Sequence, residues 1–234
     1  MQVFVINPNA TQSMTDMAVL SARRVAATGT EILSGTGSGS APLSIEGFSD
    51  EALSVPSMLQ KIVEAEARGA QATVIACFDD PGLDAAREVA KGPVIGICQA
   101  GVQAAMVLAK RFSIVTTLPR SVPAIEDLVQ RYGAGHHCRR VRCIDLPVLD
   151  IESDSQHAFS LLVAEIERAR DEDGAEAVLL GCAGMSEMTE ALSRATGVVV
   201  IDGVIVAVKF AEALVGSGLV TSKANAYAYP RTKL

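Results

Sequence analysis

The chain has 234 residues, a formal charge of −7 and 49% hydrophobic residues, enough to bury a substantial core as one medium domain or two closely packed small ones. That acidic balance, with no Lys/Arg run against it, excludes the electrostatic footprint of a nucleic-acid or anionic-membrane binder, and no apolar stretch approaches the roughly 20 residues of a membrane helix. The opening MQVFVINPNA reads as a first strand rather than a signal peptide, and the five cysteines, an odd number, point to a reduced cytoplasmic chain instead of a disulfide framework.

In chain order, an apolar strand at 3–6 ends in Asn7-Pro8-Asn9 and feeds a helix at 14–27. A helix at 58–67 precedes a strand at 72–76 that runs into Cys77; a helix at 83–90, a strand at 94–98 and a helix at 102–110 follow. A second series opens with a strand at 112–116, ending in Thr116-Thr117-Leu118, and continues with helices at 124–132 and 158–170. A strand at 177–180 then runs into Gly181-Cys182-Ala183-Gly184, and a helix at 187–195, a strand at 198–201 and a helix at 204–214 complete the pattern. Short buried strands alternating with helices call for an α/β fold with parallel sheets covered on both faces. Aromatic residues make up only 4%, so the core falls to Val, Ile, Leu and Ala.

The order of elements repeats. Asn7-Pro8-Asn9 pairs with Thr116-Thr117-Leu118, ATVIACFDDPGL with EAVLLGCAGMSEM, and GPVIGICQAGVQAAMVLA with GVVVIDGVIVAVKFAEAL. The pattern predicts two pseudosymmetric open α/β lobes with parallel central sheets, the first formed by residues 1–97 plus 206–234 and the second by 98–205. Ligands of such sheets bind beyond the carboxyl ends of the strands. Facing lobes would therefore bring Cys77 and Cys182 to a shared cleft from opposite sides.

Inverting a carbon stereocentre by proton transfer requires one group to take hydrogen from one face and a second to deliver it to the other. A thiol and a thiolate do this with exchangeable roles. Each cysteine precedes a small-residue turn into a helix, Pro81-Gly82 in one case and Ala183-Gly184 in the other, so backbone N–H groups are expected to favour the thiolate. Positioned acid–base groups contribute about 10²–10⁴-fold each, so loss of either should be severe.

INPNATQSMT, SIEGFSDEA, ACFDDPGLDAAREVA, LGCAGM and VIDGVIVAVKFAEAL resemble the aspartate/glutamate/hydantoin racemase superfamily, specifically its hydantoin racemase branch, and the resemblance extends into the tail SKANAYAYP. The resemblance implies a racemase of 5-monosubstituted hydantoins that uses no cofactor and no metal, with Cys77 and Cys182 as the two bases. It also implies pseudosymmetric lobes, the first completed by the C-terminal segment, and a homo-oligomer. Its partner would be a small molecule carrying the hydantoin ring. Allantoin racemases and the amino-acid racemases of the superfamily share the paired cysteines and stand as alternatives; so does a non-catalytic protein that closes two lobes on a small ligand.

Removing hydrogen from C5 of a hydantoin gives an enolate whose oxygen needs donors. Asn7, Thr116, Thr117 and the backbone N–H groups after each cysteine are the candidates. Pro8, Asn9, Phe48, Phe78, Asp79, Gly181, Ala183 and Gly184 complete the expected substrate-binding set, with Phe48 and the loop after Pro42 setting pocket size. Asp79 and Asp80 read as turn or cap residues rather than bases, since a charge so near Cys77 opposes its ionisation. Asp202 is equally compatible with a helix cap and a place in the site. GTGSGS at 35–40 reads as a flexible loop beside the cleft. Cys98 is expected in the core. Cys138 and Cys143, near His136 and His137, fit no zinc spacing and read as packing or surface residues.

Overall fold

Short β-branched runs form eight parallel strands in two sheets of four, described here from a computed structural model for residues 1–231. The first sheet holds β1 (Gln2–Asn7), β2 (Glu31–Thr36), β3 (Ala72–Ile75) and β4 (Val94–Gly96) in the order β2-β1-β3-β4. The second holds β5 (Phe112–Thr116), β6 (Cys138–Cys143), β7 (Ala177–Leu180) and β8 (Val199–Ile201) in the matching order β6-β5-β7-β8. Residues 232–234, which the expected first lobe includes, lie outside the described residues.

The helices are α1 (Gln12–Val25), α2 (Phe48–Ala67), α3 (Leu83–Val89), α4 (Ile97–Leu108), α5 (Val122–Arg131), α6 (Asp150–Ser153), α7 (Ser155–Asp173), α8 (Thr189–Thr196) and α9 (Gly203–Gly216). Both faces of each sheet are buried, and alternate side chains of one strand serve different cores. Val3 and Val5 join a central cluster with Phe112, Ile114 and Leu179 of the second sheet, while Phe4 and Ile6 pack outward with Met58 and Ile62 of α2. On the second sheet Val115, Val178 and Leu180 pack outward with Leu162 and Ile166 of α7. The central cluster also contains the buried sides of α4 and α9, which pack against each other, so one apolar core spans both sheets. Late in sequence, α9 lies against β1, β3 and β4 of the first sheet. Among the described residues no helix is long and apolar enough to cross a membrane.

Three differences from the sequence reading have local causes. The edge strands β2 and β6 carry EILSGT and CRRVRC, whose polar and charged residues hide the strand period. Arg142 on β6 is nonetheless buried, because Asp173, Glu172 and Glu165 surround its guanidinium. Helix α2 starts at Phe48, well before residue 58, with Pro56 inside it; proline normally signals a helix end and masked the first turns. Ile97 and Cys98, expected to end a strand, open α4 instead.

Candidate active site

The turn after β3 places Cys77. The ladder extends one step past the strand, with Ala76 N donating to Ile6 O at 2.8 Å, and Asp80 N then donates to Cys77 O at 3.1 Å. Asp80 adopts a left-handed backbone with φ 44°, a conformation Asp tolerates better than most residues. Its carboxylate accepts from Cys98 N at 3.1 Å, Gln99 N at 2.9 Å and the Tyr132 phenol at 2.8 Å, which ties the turn to the start of α4 and the end of α5. Gly96 is required beside it: a Cβ there would lie 2.3 Å from the Asp80 carboxylate.

Cys182 is placed by an equivalent step. Gly181 N donates to Val115 O at 2.8 Å, matching the Ala76 bond, and Met185 N donates to Cys182 O at 3.1 Å as a 3-10 turn over Ala183–Met188 begins. Asp202 resolves as the cap of α9: its Oδ1 accepts from Val204 N at 2.8 Å and from Ser186 Oγ at 3.0 Å, fastening this turn to a helix start. Each cysteine turn is thus held by a buried carboxylate to a helix N-terminus. The two helix starts abut, since a Cβ on Gly203 would lie 2.4 Å from Ile97 O.

Cys77 and Cys182 line one cavity of about 30 Å³ together with Asn9, Phe78, Asp79, Thr116, Thr117, Gly181 and Ala183 of the expected set. Thr116 donates its hydroxyl to Gly181 O at 3.1 Å; Thr117 spends its hydroxyl on no partner among the described residues and remains a donor to the cavity. Five lining residues escaped the sequence reading of the site: Met14, Ile45, Ala76, Ser121 and Val148. Ile45 lies within SIEGFSDEA, a motif that offered a signal, whereas nothing local to Val148 marks it. Beside them Glu46 Oε1 accepts from Val148 N at 3.1 Å and joins the two sides of the rim.

Four expected binding residues sit elsewhere. Asn7 is buried behind the wall, where its Nδ2 donates to Asn9 Oδ1 at 2.7 Å, Thr11 O at 3.1 Å and Thr15 Oγ1 at 3.1 Å. Its donors are consumed, so it orients Asn9 rather than facing an enolate. Pro8 belongs to the same turn, backed by Gly37, whose N–H donates to Asn7 O and Asn9 O at 2.8 Å each; the glycine-rich stretch thus begins as the end of β2 and a buttress. Gly184 is off the wall, yet its backbone N–H favours ionisation of the Cys182 thiol. Phe48, 69% exposed, opens α2 and lines a neighbouring cavity.

Burial dominates the electrostatics. It pushes the Cys77 thiol well above its ordinary range, and the Asp79 carboxylate adds to the rise while the Asp79 backbone N–H offsets part of it. Cys182 is pushed up to about 11 by burial, against the Gly184 N–H. The backbone N–H groups of the two turns act toward the thiolate, the direction expected from the sequence, and desolvation outweighs them. Asp79 itself is raised to about 7 by burial and by the charges of Glu51 and Asp80. Cys98 is buried in the core, and Cys138 and Cys143 lie at the ends of edge strand β6. Among the described residues no group of three or more His, Cys, Asp or Glu side chains is arranged to hold a metal ion.

Two thiols at matching strand ends line one cavity, an arrangement that can exchange protons with a bound carbon acid. Known proteins that the chain is similar to include racemases. A hydantoin racemase of Rhizobium meliloti is 62% identical over the whole chain and 96% of its own length, and one of Pseudomonas sp. (strain NS671) is 46% identical over the whole chain and 93% of its length. The solved structure of an allantoin racemase from Klebsiella pneumoniae superposes with a TM-score of 0.97 at 45% identity, covering all of this chain and 95% of that one. The Asp/Glu/Hydantoin racemase profile matches residues 3–211, so nearly every element described above, both cysteine turns included, falls within it, and the chain belongs to the Asp/Glu/hydantoin racemase family.

Proposed function

We propose that this protein racemises 5-monosubstituted hydantoins by proton transfer at C5 between Cys77 and Cys182. The observation that carries the reading is the presence of both thiols on one narrow cavity, each at the end of a strand from a different sheet. One cysteine, as thiolate, removes the C5 hydrogen; the electron pair passes into the adjacent carbonyl to give a planar enolate. The other, as thiol, delivers its hydrogen to the opposite face. The cysteines end with exchanged protonation states, so the reverse reaction uses the same pair. The Thr117 hydroxyl and the backbone N–H groups of the two turns supply donors for the enolate oxygen. Nothing in this sequence of steps requires a redox or electrophilic cofactor.

The expected lobe boundaries, residues 1–97 with 206–234 and 98–205, belong to the same proposal and draw support from α9, which covers the first sheet. A cytoplasmic location suits the five unpaired cysteines. The homo-oligomer implied by resemblance is checked by light scattering. Allantoin, a hydantoin with a ureido group at C5, is a second substrate reading, favoured by the likeness to the Klebsiella pneumoniae allantoin racemase. The test follows the circular dichroism of L-5-benzylhydantoin and of one allantoin enantiomer in deuterated buffer. Signal loss above the spontaneous rate with deuterium at C5 supports racemisation, and the faster substrate decides between the two; no loss with either overturns the proposal.

A further inference from the structure

The cavity holding the thiols measures about 30 Å³, and a water needs roughly 10–15 Å³ by the same measure, so it has the room of two or three waters and none to spare for a side chain on C5. A substituent on C5 longer than an atom or two must leave it. Asp79, on the Cys77 turn, lines this cavity and also a second one of about 320 Å³. Phe48, Leu83 and Leu128 give the second cavity apolar walls that suit a methylene chain, and Glu51, Asp127 and Arg131 stand around it.

Charge decides what the chain should end in. Arg131 is the one cation among the lining residues, and Asp84 already pairs with it. Asp80 is committed to Cys98, Gln99 and Tyr132. Among the described residues no salt bridge reaches Glu51, Asp79 or Asp127. Burial and the neighbouring Asp50 hold the Glu51 carboxyl above its ordinary range, as expected for an acid without a compensating cation. We propose that the 320 Å³ cavity receives the substituent at hydantoin C5 and favours substituents that end in a cation or hydrogen-bond donor over those that end in an anion. The inference rests on the racemase reading and specifies its substrate class.

Three hydantoins of similar length test it: 5-(4-aminobutyl)hydantoin, 5-pentylhydantoin and 5-(3-carboxypropyl)hydantoin, each racemised at pH 8 by the wild type and by a Glu51→Gln/Asp127→Asn double variant. The wild type is expected to prefer the amino over the carboxy compound by at least about tenfold in kcat/KM, chiefly through KM, and the double variant to shrink that ratio severalfold. Equal rates for the two charged compounds, or a ratio unchanged in a folded double variant, would overturn the subsite. Racemisation of none of the three by the wild type would instead overturn the racemase reading, and the subsite with it; the pentyl compound separates these failures.

Discussion

The Tyr132 phenol donates to the Asp80 carboxylate at 2.8 Å, linking the end of α5 to the turn that carries Cys77. Because the same carboxylate also accepts from two backbone N–H groups of α4, one buried group fixes the Cys77 turn from two directions. Replacing Tyr132 by Phe removes one of these bonds without altering the ring. The expected loss is about 1–2 kcal/mol of stability, with a several-fold fall in kcat, read by urea unfolding and by racemisation rates. Asp80→Asn should cost more, since it substitutes an amide for an acceptor facing donors; unchanged urea midpoints in both variants would contradict the anchoring role.

Cys77→Ser and Cys182→Ser should each lower racemisation by at least about 10²-fold while leaving the circular dichroism of the fold intact. Cys138→Ser, on the edge strand, should retain activity. Full activity in either of the first two would sink the two-base mechanism.

Burial raises both thiols, Cys182 to about 11, so the thiolate fraction grows about tenfold per pH unit through the neutral range. The rate per enzyme, after subtraction of spontaneous racemisation, should therefore climb from pH 6 to pH 9. A plateau already reached at pH 6 would show that the thiols ionise far more easily in the working enzyme.

Asp79 is raised from its ordinary 3.8 to about 7, so between these values the folded chain holds a proton that the unfolded chain has released. Its contribution to stability is present below about pH 4 and is lost as pH rises through 7. Asp79→Asn should flatten this part of the pH–stability curve and raise stability at pH 8; a lower melting temperature at pH 8 than the wild type's would count against the assignment.

The central strands were legible because β1, β3, β5 and β7 are short apolar runs buried on both faces, a pattern that needs no partner to be read. The edge strands were not, since β6 carries three arginines, and the burial of one of them, Arg142, depends on acids of α7. The same division holds in the site. Cys77 and Cys182 could be matched by their positions at strand ends, and their common cavity follows from the repeated sheet order. Asn7 shares that position, yet its amide is spent on Asn9, Thr11 and Thr15, which only the folded turn reveals. Val148 reaches the wall through a connection with no period of its own, so no local pattern could place it.

The bond from Val148 N to Glu46, flanked by Ile45 and Val148 on the cavity wall, bears on the fate of an isotope label. In the proposed reaction, a shut rim leaves the abstracted hydrogen a choice between return to carbon and slow escape to bulk solvent. Each inverted molecule then carries hydrogen that the second thiol had already exchanged with solvent, while the substrate's own hydrogen, held on the first sulfur, leaves the site more slowly as long as the bond at the rim holds.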